Sequence, residues 1–150
     1  MHDVVVIGLS APLLIGVYKE GRLVEKIESH EKTSEVLPSL FASLMQRYSI
    51  GNLIYAKGPG SFMAIKIGYI FLKTLSITKK IPFLSTDAFY FNENSPIKAV
   101  GKLCFVKIAD NIETQLFDTV PENRLRLPEH LRLEDFTTDT TPYYGIGAVG

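Results

Sequence analysis

The sequence predicts an α/β fold built on a mixed sheet, and three observations carry that prediction. Residues 4–28 read as three strands joined by short turns, residues 33–85 alternate helical and strand periods, and a polar, turn-forming stretch at 92–96 sets off a hairpin and an irregular tail. With 150 residues the chain is long enough to bury roughly 70% of the surface that its unfolded form exposes, so one domain or two small lobes are expected.

Val4-Val5-Val6-Ile7-Gly8 is β-branched and continuous, as suits a central strand covered on both faces, and residues 13–19 read as its neighbour. Glu20-Gly21 makes a tight turn into a more charged strand at 23–28, of the kind found at a sheet edge. The run 4–18 carries no charge, but the lead-in contains Asp3 rather than a basic cluster, and Pro12 and Gly16 interrupt it. It also falls short of the ~18 apolar residues of a membrane span, so two strands and no membrane segment are expected.

Thr33 or Ser34 is expected to cap a helix reaching Tyr48, with Val36, Leu37, Leu40, Phe41, Leu44, Met45 and Tyr48 forming its apolar stripe. Gly51 should close it before a strand at 52–56. A second helix runs from Ser61 or Phe62 to Thr78, followed by a buried strand at 81–85 and a short helix near 87–91. A boundary is placed near residue 95, dividing the chain into 1–95 and 96–150. In the second part, 98–109 and 113–117 suggest a hairpin turning at Asp110-Asn111, and the proline- and threonine-bearing tail shows no sustained period.

Equal numbers of Lys plus Arg and Asp plus Glu, 16 each, leave no net field to hold a polyanion. Cys104 is the single cysteine and sits in an apolar strand, where it reads as a small core residue. No His, Cys, Asp or Glu set has metal-ligand spacing, and Asp87, Asp110, Asp118, Asp135 and Asp139 fall singly in turns. No catalytic and no metal-binding residue is therefore assigned. Tyr143-Tyr144-Gly145 suits either stacking on a base or partner or packing of the tail on the core.

Two features stand out. A strand, then Gly58-Pro59-Gly60-Ser61, then a helix is a geometry that can present backbone amides to a phosphate, although glycines also serve simply to reverse the chain. The spacing lacks the Lys-Ser or Lys-Thr pair of a nucleotide phosphate loop. The helix that follows is apolar in nearly every direction, with only a narrow strip bearing Lys66 and Lys73. Such a helix is either sandwiched inside the fold or covered by another chain, and periodicity alone leaves both open.

The eleven residues Gly58-Pro59-Gly60-Ser61-Phe62-Met63-Ala64-Ile65-Lys66-Ile67-Gly68 resemble the GPGSFTGLRIG signature of the TsaB (YeaZ) proteins. Thr33-Ser34-Glu35-Val36-Leu37-Pro38 is similar to that family's HSExLLP helix start, and Ile81-Pro82-Phe83-Leu84-Ser85 resembles its next strand. The resemblance implies an actin-like ASKHA lobe, ribonuclease H-like in topology, with a truncated second lobe. It implies a non-catalytic partner of the TsaD subunit in forming N6-threonylcarbamoyladenosine at position 37 of tRNA, with the ATPase TsaE joining through the complex. It further implies contact with tRNA only indirectly and no cofactor of its own, any ATP or ADP lying at the junction with the partner; the single cysteine suits a reducing, cytoplasmic setting, and a homodimer through the same helices is a further expectation for the chain when alone.

The docking helices would be 34–48 and 62–78. The interface residues would then be Leu37, Leu40, Leu44, Phe62, Ile65, Lys66, Tyr69, Ile70 and Lys73, with Gly58, Gly60 and Ser61 as the phosphate turn. Departures from the family are Met63-Ala64 in place of Thr-Gly, Lys66 in place of Arg, and Gly8-Leu9-Ser10 where a carboxylate usually follows the first strand. The rival reading is a shortened ASKHA-fold ATPase or kinase that holds phosphate on the Gly-Pro-Gly-Ser turn.

Overall fold

The computed structural model describes residues 1–122 and 124–145. Its first half follows the expected order: β1 (His2–Ile7), β2 (Leu13–Lys19), β3 (Arg22–Ser29), α1 (Thr33–Arg47), β4 (Ile50–Ala56), α2 (Phe62–Lys79) and β5 (Phe83–Thr86). The five strands form one sheet in the order β3-β2-β1-β4-β5. β1–β2 and β2–β3 are antiparallel, and β1–β4 and β4–β5 parallel, because each helix crosses back over the sheet between them. The uncharged run 4–18 is thus two paired strands. Among the described residues, no helix is long and apolar enough to cross a membrane.

Alternation along the central strands divides two cores. Val4, Val6, Leu13, Ile15, Val17, Leu53 and Tyr55 face α1 and α2, where they meet Val36, Leu37, Phe41, Leu44 and Leu72. Val5, Ile7, Leu14, Tyr18, Ile54 and Ala56 face the other way and are covered by Phe91, Leu127 and Leu131. The sheet therefore has helices on one face and, on the other, a 3-10 turn (Ala88–Phe91) capped by Asp87 together with the tail.

That tail is irregular, as its sequence suggests, yet it is tied to the sheet by single contacts. Tyr18 Oη donates to the Pro128 carbonyl (2.5 Å) and Tyr55 Oη to that of Thr140 (2.5 Å). The Leu131 amide donates to the Gly21 carbonyl (2.7 Å), and Ser85 and Thr137 exchange both backbone bonds (2.9 Å each). Gly16 is glycine for this reason: a Cβ there would stand 2.9 Å from a Leu127 methyl and from the Tyr18 ring. Burial raises the phenol pKa of both Tyr18 and Tyr55, keeping them neutral donors.

Several boundaries differ from expectation. Lys32 is the N-cap of α1 and makes no side-chain cap bond, so neither Thr33 nor Ser34 caps it; the Glu35 and Val36 amides use the Lys32 carbonyl. The helix ends at an extended Tyr48 rather than at Gly51, which lies inside β4. The expected long arm of the hairpin is broken at Gly101, whose φ of +57° reverses the chain. A three-stranded antiparallel sheet results, β6 (Ile97–Val100), β7 (Leu103–Ile108) and β8 (Asn111–Leu116). Cys104 is fully buried in β7, where desolvation raises its thiol pKa.

Candidate partner-docking face

The glycine turn is a joint rather than an open cradle. Gly58 has φ +123° and a Cβ there would lie 1.8 Å from the Tyr143 carbonyl oxygen, so only glycine fits beneath the tail. Its own carbonyl accepts from the Ala88 amide (2.8 Å), and the Tyr143 amide donates to the Lys57 carbonyl (2.7 Å). On the opposite side the Ser61 amide donates to the Leu9 carbonyl (2.8 Å), and the Ser61 hydroxyl caps α2 by accepting from the Ala64 amide (3.5 Å).

Gly60 and Ser61 border a cleft of about 360 Å³ that runs to β6 and includes Leu9, Asn92 and Lys98. No carboxylate lines it among the described residues, and Leu9, two residues past β1, is 1% exposed. No group of three or more metal-ligating side chains exists among the described residues.

The helix behind the turn resolves the question its sequence poses. Ile65, Gly68 and Leu72 are buried against the sheet, while Phe62, Tyr69 and Phe71 are half-buried. Phe62 packs on Tyr144 (ring centroids 4.5 Å apart), Tyr69 on Tyr55 (6.1 Å) and Phe71 on Phe41 of α1 (5.5 Å). Three large aliphatic side chains remain outside: Met63 is 57% exposed, Ile70 52% and Ile77 68%. Spaced by seven residues, each is turned about 20° from the next around the helix, so the three make one nearly straight row. Lys66 and Lys73 are exposed beside it, the Lys66 ammonium 5.9 Å from the centre of the Phe62 ring.

The residues predicted for the interface divide accordingly. Ile70, Lys66 and Lys73 are on the surface; Leu40, Phe62 and Tyr69 are at its margin. Leu37 and Ile65 (1% exposed each) and Leu44 (0%) are consumed by the internal core and offer nothing outward. The outward side of α1 carries Pro38, Ser39, Ala42, Ser43 and Gln46 instead. Met63 and Ile77 complete the row on α2 and escape the sequence reading; their spacing of seven from Ile70 is the signal that locates them.

One polar cluster steadies this layer. Glu25 on β3 accepts from Arg47 through both oxygens (2.6 and 3.1 Å) and from Tyr48 Oη (2.6 Å), binding the end of α1 to the sheet edge. The Arg47 hydrogen bond, then that of Tyr48, holds the Glu25 carboxyl below the usual glutamate range.

No protein-family profile matches the sequence and no curated protein matches it. Solved structures do. YeaZ from Pseudomonas aeruginosa superposes with a TM-score of 0.59 at 13% identity, covering 85% of this chain and 70% of that one. A crystal structure described as an uncharacterized protein with similarity to peptidase YeaZ from Pseudomonas aeruginosa gives 0.61 at 12% identity, covering 85% of this chain but 64% of its own. The chain thus has the YeaZ-type fold, a mixed five-stranded sheet carrying two helices on one face, and spans less than two thirds of the second structure.

Proposed function

We propose that this chain is a non-catalytic, TsaB-type partner that docks through α2, with α1 beside it, onto a TsaD-type subunit making N6-threonylcarbamoyladenosine on tRNA. The observation that carries the reading is the exposed row Met63-Ile70-Ile77 on a helix whose opposite side is already packed. Three aliphatic side chains aligned along one surface helix, from residue 63 to 77, lose most of their contact with water only when a second apolar surface covers them. The signature-like segment 58–68 lies at the start of that helix, and the fold likeness to YeaZ supports the assignment.

In this reading the chain works in the cytoplasm, holds no cofactor of its own, and meets tRNA only through the complex; a nucleotide, where one takes part, lies at the junction with the partner. Mixing the purified chain with the TsaD-type protein of the same organism at micromolar concentration and passing it over a sizing column tests this. One joint peak is expected, and two separate peaks overturn it. Phosphate chemistry at Gly58, Gly60 and Ser61 is the weaker reading, because the Ser61 amide already donates to Leu9 and the tail closes over Gly58.

A further inference from the structure

The docking face has a sign as well as a shape. Between Glu35 and Asp87 the sequence contains no carboxylate side chain, although the protein carries 16 Asp and Glu in all. The same stretch holds Arg47, Lys57, Lys66, Lys73, Lys79 and Lys80. Arg47 is engaged with Glu25. Lys66, Lys73, Lys79 and Lys80 are exposed and form no ion pair among the described residues. Overall neutrality therefore conceals a local excess of positive charge on α2, whereas α1 carries Glu35 and has its Arg47 paired.

The cations are arranged along the apolar row. At 100° per residue Lys66 and Lys73 lie roughly 40–60° to one side of Met63, Ile70 and Ile77. The other flank, Ile67 and Thr74, is uncharged and leads towards α1, where Phe71 meets Phe41. An apolar seam bordered by charge on one side is the arrangement by which flanking residues choose the partner of a helix pair. Two copies related by a twofold axis across α2 would run antiparallel and set one lysine flank against the other.

We propose that α2 selects a non-identical protein partner whose own apolar helix is bordered by carboxylates, so that the Lys66–Lys73 flank favours the mixed pair over the self-pair. The proposal rests on the docking function above and specifies the surface that fits it. A nucleic acid is the other polyanion a lysine row could hold. Here, however, the lysines border three exposed aliphatic side chains, and Phe62, Tyr69 and Phe71 are engaged with rings of the chain itself rather than free to stack on bases.

The test needs only this chain and two probes. A K66E/K73E variant is mixed with the unaltered protein and pairing is measured by sedimentation, alone and mixed. The mixed pair is expected to be about tenfold tighter than either self-pair near 0.05 M salt, with the advantage fading near 0.5 M, and Ile70→Glu in one component should abolish it. The TsaD-type protein should bind the unaltered chain about tenfold more tightly than K66E/K73E. A mixed pair no tighter than the self-pairs overturns the proposal. So does a transfer RNA that the unaltered chain and Ile70→Glu both bind and K66E/K73E does not. Charge-selected mixed pairing without any TsaD binding supports the proposal while removing the function assigned above.

Discussion

Ile70 and Leu44 are both aliphatic, lie on adjacent helices, and should respond in opposite ways to substitution. Ile70 is 52% exposed, so Ile70→Glu is expected to change stability by no more than about 0.5 kcal/mol while abolishing pairing. Leu44 is wholly buried among the sheet-facing residues of α1, and Leu44→Ala should cost about 2–5 kcal/mol, read as a lower urea midpoint. Gly58→Ala joins a strained φ to a clash with the Tyr143 carbonyl and should lower the melting temperature by loosening the tail from the turn, which a thermal scan checks. At this scale the sequence is legible in kind but not in direction. Leu37, Leu44, Ile65 and Ile70 share one apolar character, and only the placement of each helix on the sheet decides which of them faces inward.

Elements are legible in the sequence where their signals are periodic and less so where a single residue decides. β1 to β5 and the two long helices follow from alternation and from the 3.6-residue period. The ends of α1 do not: its first amides use a main-chain carbonyl where Thr33 and Ser34 offer hydroxyls, and its last turn is fixed by a tertiary contact. That contact makes the α1 layer sensitive to acid. Glu25 is held below its ordinary pKa in the folded state, so its contribution is complete above the unfolded value of ~4.3 and is lost as the pH falls through the lower, folded value. Glu25→Gln should therefore flatten the acid limb of the stability curve below about pH 4.3, measured by chemical denaturation at stepped pH.

For the whole molecule, the tail matters as much as either helix, and it is the part least legible in the sequence. Its contacts are isolated bridges, Arg22 with His130 and Ser85 with Thr137, and lone carbonyls beneath Tyr18 and Tyr55, none of which imposes a repeat. A chain cut after residue 122 should strip Leu127 and Leu131 from the face of Val5, Ile7, Leu14 and Ile54, leaving Ala88 and Phe91 over it, bind a hydrophobic dye and lose cooperative unfolding. The same bridging has a bearing on how the protein is made. Tyr18 leaves the ribosome 110 residues ahead of its acceptor, Pro128. At about 5–20 residues per second the sheet's second face waits roughly 5–20 s for its cover. The strands translated first are thus the last to be finished, and during that interval the nascent protein is a natural client for chaperones that shield bare β-surface.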